Sequence, residues 1–307
     1  MTLEKTTIIV TPRDRFSTAE HCLDNLLKWT PGPFDLIVVM GGAPAHIETQ
    51  LKEKFGTRAE WIFEPAFMNT AQARNRALEQ VRTRLAVFLD TDVFVRPGWY
   101  EPLVRCQQET GVEMVTPIVL DQQNRIHTAG NNFFITHQDG KTYAMMELRF
   151  ANHKVGQDTN IRRQECDFCE VHCQMVVADT ARRLRIYDEN LREFHEMDLG
   201  LTLSKAGCRM MLEPASMVYL QYHDRLRDID DVQIYCWKWD MEVIRQGIDY
   251  FEKKWGMNVD QNGVTTRYFK FVNQRVNFFT RRWPCRVSLR LDQWKRRLFQ
   301  RVFRYWE

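Results

Sequence analysis

The run Leu85-Ala86-Val87-Phe88-Leu89 places the strongest constraint on the fold. An unbroken apolar segment has no polar face to offer water, so it has to be a strand covered on both sides, as in the centre of a parallel sheet. It stops abruptly at Asp90-Thr91-Asp92. The residues before it alternate strand and helix patterns, the signature of a parallel sheet with crossover helices. Thr6 to Thr11 is a β-rich run, Phe34 to Met40 a second that ends in Gly41-Gly42, and Trp61 to Phe63 a third. Helices are predicted from Ser17, where Ser17 and Glu20 have capping-box spacing, and from Pro44 to Lys54. Ala73, Ala77, Leu78 and Val81 recur at helical spacing and predict a third helix over 70–82.

Beyond Asp92, Pro97-Gly98-Trp99 opens a helix to Cys106, and Glu113 to Ile118 is a further strand. Residues 119–165 read as irregular, with strand-like pieces such as Arg125 to Ala129. Asp167 to Val177 reads as one strand, Phe194 to Ala206 as a helix closed by Gly207, Met210 to Leu212 and Met217 to Leu220 as a strand pair, and Val232 to Trp255 as helical. The expected class is α/β: a Rossmann-like, mostly parallel sheet flanked by helices over residues 1–228, followed by a helical, basic and amphipathic C-terminal extension over 229–307.

Hydrophobic residues make up 44% and charged residues 27% of the 307, ordinary for a soluble globular protein, and no run of eighteen apolar residues occurs. Met1 to Lys5 shows no basic stretch ahead of an apolar core, so a cytoplasmic protein with reduced thiols is expected. Cys166, Cys169 and Cys173, with His172 among them, have spacing that suits a metal. On a strand, however, Cys166 faces away from the other two, which favours buried thiols. The net charge of +3 hides an asymmetry: residues 262–307 carry twelve Lys and Arg against two acidic residues, which leaves the first 261 at −7.

In an open parallel sheet, ligands bind beyond the carboxyl ends of the strands. Those ends carry Thr11-Pro12-Arg13, Met40-Gly41-Gly42 and Asp90-Thr91-Asp92. Two carboxylates at the tip of an apolar strand need compensation, and a divalent cation that also holds a diphosphate supplies it. A capped turn with one solvated Asp is the plain alternative. Asn69 to Asn75 puts small residues and Arg74 at a helix start, where amides and a guanidinium favour an anion; an amphipathic helix with a surface Arg fits the same letters. In His195-Glu196-Met197-Asp198, Glu196 ends the core-facing stripe set by Leu199 and Leu203, so it can look into a cleft as a general base, while Asp198 suits the helix dipole. His223, beyond Pro214 and a strand, is a candidate third metal ligand.

These residues, in this order, resemble the family 2 glycosyltransferases of the GT-A fold, over about residues 5–225. The resemblance rests on Asn69 with Ala73-Arg74-Asn75, on Asp90-Thr91-Asp92, on His195 to Leu199 with the helix ending in Gly207, and on Pro214 to His223. It implies an inverting, metal-dependent transferase that passes a sugar from a nucleotide-diphosphate sugar to a hydroxyl acceptor, a glycan or a lipid-linked one, in polysaccharide synthesis. Mn²⁺ or Mg²⁺ is the implied cofactor, held by Asp92, Asp90 and His223, with Asp90 on the ribose or on the metal through water. Thr11, Pro12, Arg13, Met40, Gly41, Asn69, Arg74 and Thr91 are the implied donor contacts. Glu196 stands where the family's Asp base does, and His195 replaces an acid. Met40-Gly41-Gly42 stands where the family has a base- or ribose-reading Asp, although UDP is the family's commonest nucleotide. Glu170, His172 and His195 are candidate acceptor contacts.

Read as a helix, Arg286 to Trp306 carries Val287, Leu291, Trp294, Leu298, Val302 and Tyr305 on one side and a row of arginines beside them. Such a helix fits an anionic membrane surface, which predicts a peripheral position on the inner face of the membrane. Docking on the protein itself or on a second copy is the alternative, and nucleic acid is the least favoured partner. Two other classes compete for the whole chain. A non-catalytic binding module would keep the fold without turnover, and a sugar-phosphate nucleotidyltransferase would need a Gly-rich basic loop that Thr11-Pro12-Arg13-Asp14 does not provide.

Overall fold

The computed structural model describes residues 2–156, 161–192, 194–221, 228–259 and 294. His223 and the arginine-rich segment 286–306, Trp294 apart, lie outside them. The first half follows the expected alternation: β1 (Thr6–Thr11), α1 (Ala19–Trp29), β2 (Phe34–Gly41), α2 (Ala45–Phe55), β3 (Glu60–Glu64), α3 (Thr70–Leu78), β4 (Leu85–Asp90), β5 (Val93–Val95), α4 (Tyr100–Thr110) and β6 (Met114–Leu120). Then come β7 (Ile126–Thr128), β8 (Asn132–Gln138), β9 (Lys141–Glu147), β10 (Gln164–Cys166), β11 (Cys173–Val177), α5 (Ala178–Leu184), α6 (His195–Lys205), β12 (Met210–Leu220), α7 (Ile229–Lys238) and α8 (Met241–Trp255).

One sheet runs in the order β10-β12-β6-β11-β4-β1-β2-β3, with β5 added to β12 and β7 to β6. The pairs β4-β1, β1-β2, β2-β3 and β12-β6 are parallel, whereas β11 runs antiparallel between β4 and β6. Every residue of β4 is buried, as its sequence requires. Its neighbour β1 alternates faces: Ile8 and Val10 join the core under α1 and α4, and Ile9 joins the core under α3, α5 and α6. A third core links Phe194, Met197 and Leu201 of the α6 region to Tyr235 and Trp239 and to Ile244, Ile248 and Phe251 of α8. At about 1.5–3 kcal/mol for each large apolar side chain buried, that core fixes α7 and α8 against the sheet domain.

Four local expectations are corrected. Helix α1 starts at Ala19 with no side-chain cap, because the Ser17 hydroxyl and amide are taken by Asp231 at 2.5 and 3.0 Å. The stretch 167–177 is not one strand. Asn131 and Phe168 bond reciprocally through their backbones, at 2.8 and 3.1 Å, which pulls 167–172 out of the sheet until β11 begins at Cys173. The segment 119–165, expected to be irregular, contains the β8-β9 hairpin, turned at Asp139-Gly140 with φ of 49° and 71°. The expected strand pair of 210–220 is a single strand, β12, irregular between Glu213 and Met217.

Candidate active site

Thr11 and Asp90 are register partners on β1 and β4, so the loops beyond these two strands lie side by side. Arg13, from the first loop, donates through Nε and Nη2 to Asp92 Oδ2, at 2.9 and 2.7 Å. Asp92 Oδ1 is buried without a hydrogen-bond partner. Asp90 is held from both sides, by Arg74 Nη2 on Oδ1 at 3.1 Å and by His172 Nδ1 on Oδ2 at 3.1 Å. Burial acts to raise the Asp90 carboxyl, but the His172 hydrogen bond and the charges of Arg74 and Arg13 hold it below the usual carboxylate range. Protein side chains thus partner three of the four carboxylate oxygens. The unpartnered Asp92 oxygen is the atom of this pair that fits a divalent ion, since such ions take carboxylate oxygen.

Arg74 does not reach outward to a phosphate, as the sequence suggested. It is 0% exposed, donates also to the Val171 carbonyl, and lies against the edge-on pair of Phe88 and Tyr187, 5.2 and 5.3 Å from their ring centroids. Two aromatic rings and a carboxylate make a buried guanidinium tolerable. Asn69 is likewise spent inside the fold. It forms a capping box with Gln72, at 2.8 and 2.9 Å, and its Nδ2 donates to the Glu189 carbonyl.

The remaining expected donor contacts are buried as well. Thr11 and Met40 are 0% exposed, Pro12 is buried, and the Thr91 hydroxyl donates to the Arg15 carbonyl at 3.3 Å. Gly41 and Gly42 have a packing reason. A Cβ on Gly41 would stand 2.4 Å from Met68 Cγ, and one on Gly42, where φ is +69°, would stand 2.4 Å from the Phe67 ring. The pair lets the β3–α3 loop cross the end of β2.

The structure adds residues that the sequence did not single out. Arg15 donates to Asp14 Oδ1 at 3.0 Å, Trp239 Nε1 donates to Asp14 Oδ2 at 3.4 Å, and Arg15 Nη2 is buried without a hydrogen-bond partner. Asp231 accepts from the Phe16 and Ser17 amides, so α7 clamps the loop that carries Arg13. No short-range pattern ties position 231 to position 16. At the other edge, the Gln221 amide donates to the Asp92 carbonyl at 2.8 Å, which sets the end of β12 against the aspartate pair.

On the loop before β11, Glu170 Oε2 lies 2.6 Å from His127 Nε2 and 3.2 Å from His172 Nε2. Burial opposes charge on Glu170, but the two imidazoles outweigh it and its carboxyl lies well below the usual range. Burial also acts to lower His172, yet its bonds to Asp90 and Glu170 push it up to about 9. Glu170 and His172 thus face each other and Asp90 rather than standing free for an acceptor. His127 could have been noticed: Ile126 and Thr128 around it are buried, which turns the histidine to the opposite side of a short strand. Cys166, Cys169 and Cys173 are free buried thiols, each pushed up by burial, Cys169 to about 12, as suits packing residues.

Helix α6 begins with Phe194 in the left-handed region at φ +65°. His195 is buried and pushed down to about 3 by burial, then by the charges of Lys238 and Arg74, so it is neutral near pH 7. Its ring also feels the charges of Asp90 and His172. Glu196 Oε2 lies 3.7 Å from His195 Nε2, and the Glu196 side chain keeps 20% of its surface exposed. Asp198 is internal, held by Trp255 Nε1 at 2.8 Å and Lys254 at 2.7 Å. A cavity of about 940 Å³ lies away from the aspartates, bounded by Asn75, Ala181, Lys205 and Tyr250 among others.

Known proteins resemble the chain in sequence and in fold. Two curated relatives, the pre-mycofactocin glycosyltransferases of Mycobacterium tuberculosis strains CDC 1551 / Oshkosh and ATCC 25618 / H37Rv, are 25% identical over 195 residues. The match covers 63% of this chain but only 38% of the relatives' length. Among solved structures, GalNAc-T7 with UDP, GalNAc and Mn²⁺ superposes with a TM-score of 0.58 at 13% identity, over 92% of this chain and 56% of that one, and shows that the fold is GT-A. No described helix is long and apolar enough to cross a membrane. The profile described as Glycosyl transferase family 2 matches residues 7–167, more than half of the sequence and the part that builds both aspartate-bearing loops, and the chain belongs to that family.

Proposed function

We propose that the chain is an inverting transferase that moves a sugar from a UDP-linked donor to a hydroxyl of a glycan or lipid-linked acceptor. The observation that carries this reading is Asp92, whose Oδ2 is paired with Arg13 while Oδ1 is buried and unpartnered at the carboxyl edge of the sheet. Asp92 is the direct ligand for Mn²⁺ or Mg²⁺ in this reading, and His223, two residues beyond the Gln221 that bonds Asp92, is the second. A bound divalent ion supplies charge neutralisation to the departing diphosphate. Arg13 is the local cation that exchanges: when Asp92 turns to another positive partner, its guanidinium is released toward the anionic donor.

Asp90, with both oxygens taken by Arg74 and His172, positions the strand tip rather than ligating directly. Glu196, half-buried at the start of α6, accepts the proton of the acceptor hydroxyl as that oxygen attacks the anomeric carbon and the bond to the phosphate oxygen breaks on the opposite face. His195 beside it is neutral and offers the acceptor a hydrogen bond without competing for the proton. The relative with the solved fold carries UDP, GalNAc and Mn²⁺, which supports a uridine donor and a divalent ion here. Attachment to an anionic membrane surface through residues 286–306 and a cytoplasmic location complete the proposal.

Turnover of a panel of sugar nucleotides with Mn²⁺, alone and with glycan and lipid-linked hydroxyl acceptors, by wild type and Glu196→Gln, tests it. Wild type turns over one uridine donor in preference to the rest, and transfer to an acceptor falls about 10²–10⁴-fold in the variant with KM little changed. No turnover of any donor by wild type, or full transfer by Glu196→Gln, defeats the reading.

A further inference from the structure

His127, Glu170 and His172 form a group that the transfer reaction as proposed does not use. The geometry points to a second metal site here, for a borderline-soft divalent transition ion of the zinc class, distinct from the ion at Asp92. His127 comes from β7, and Glu170 and His172 from the loop before β11. One ligand atom from each residue can be chosen so that all three lie within 4.8 Å of one another. Around a tetrahedral ion with bonds of about 2.0–2.1 Å, ligand atoms stand roughly 3.3 Å apart. Small side-chain rotations therefore close the set, with Glu170 Oε2 already 2.6 and 3.2 Å from the two imidazole nitrogens.

Donor chemistry selects the ion. Two imidazoles with one carboxylate suit Zn²⁺, Co²⁺ or Ni²⁺ far better than Mg²⁺, which asks for oxygen. His172 also has the outer partner that metal-bound histidines use. Its Nδ1 lies 3.1 Å from Asp90 Oδ2, which fixes the tautomer that leaves Nε2 for an ion. Access is open on one side, because the His127 and Glu170 side chains keep 23% and 21% of their surface exposed while His172 keeps 7%. Three protein ligands leave a fourth position for solvent. The loop that the ion would pin lies directly under α6, where the Asp167 carbonyl and the Phe168 side chain stand 2.6 and 2.7 Å from the place a Cβ on Gly200 would occupy. The ion would thus brace Asp90 through His172, and α6 through the loop.

The test is titration of the full, metal-free chain with Co²⁺ alone and then Zn²⁺, read by the visible bands of tetrahedral cobalt and by metal stoichiometry after dialysis. One equivalent of cobalt should give tetrahedral bands that zinc removes, apart from any cobalt held without such bands at Asp92. His127→Ala and the isosteric Glu170→Gln should each weaken binding by more than about a hundredfold, since losing a ligand costs more than losing an outer partner. Asp92→Asn should leave the spectrum unchanged. If His127→Ala does not fold, judged by circular dichroism, Glu170→Gln carries the comparison. Absence of tetrahedral bands in wild type, bands that persist in Glu170→Gln, or bands lost in Asp92→Asn instead, would each overturn the assignment. None of these readings depends on sugar transfer, so failure here leaves the proposed function intact, and the reverse holds.

Discussion

At the tips of β1 and β4, each aspartate is held by a guanidinium, Asp92 by Arg13 and Asp90 by Arg74, and none of the four side chains is more than 6% exposed. A few ångströms away, Glu170 is held by two imidazoles, and its own side chain and that of His127 keep about a fifth of their surface in contact with water. The difference is chemical. A guanidinium keeps its proton at any pH the fold survives, so the first region changes only by exchanging one cation for another. An imidazole nitrogen that gives up its proton becomes a metal ligand, so the second region can exchange a proton for a metal ion. His172 touches both regions and joins them through Asp90.

The strongest way to break this comparison is Arg74→Ala. It leaves Asp90 buried with His172 as its remaining cationic hydrogen-bond partner and opens a gap beside the Phe88–Tyr187 ring pair, so a stability loss of about 3–5 kcal/mol is expected. Urea unfolding measures it, and a loss under 1 kcal/mol would show that the guanidinium is not what holds the strand tip. Gly41→Ala comes next. Its new Cβ meets Met68 at 2.4 Å, and about 1–3 kcal/mol should be lost by the same method, with the nucleotide affinity of the folded protein unchanged. A selective loss of nucleotide affinity instead would return Gly41 to the binding site.

The smallest effect sharpens the contrast with a third arrangement, Asp188 held by Lys254 at 2.8 Å near the surface. Burial acts to raise this carboxyl, but the Lys254 bond and its other hydrogen bonds hold it below its ordinary 3.8. A depressed carboxyl adds stability above 3.8 that is lost as the pH falls through the lower folded value. Asp188→Asn should therefore lower stability at pH 7 by under about 1 kcal/mol and show a smaller further loss between pH 5 and pH 3 than wild type. An identical acid limb in both proteins would contradict this.

Much of the fold is legible because its signals are local. The apolar run of β4 and the break after it, the helical spacing of α3, and Gly207 at the end of α6 each decide their element within a few residues. The β8-β9 hairpin also had a local signal, Asp139-Gly140 between strand-forming runs, which is the turn such hairpins favour. The site is legible in position but not in partners. Arg13 and Asp92 are 79 residues apart in sequence, and His127 and Glu170 belong to different elements. The fate of Arg74 was hidden for the same reason: whether an arginine at a helix start faces water or a buried carboxylate depends on which strand crosses behind it. The loop 167–172 departs from its strand-like pattern because a bridge to Asn131 outweighs local propensity.

The central claim is that Asp92 couples a divalent ion to a nucleotide diphosphate. Calorimetric titration of the full chain with UDP, with and without Mn²⁺, in wild type and Asp92→Asn, tests it most directly. The account predicts that Mn²⁺ tightens UDP binding at least about tenfold in wild type and has no effect in Asp92→Asn. Equal metal dependence in the two proteins, or none in wild type, would contradict it.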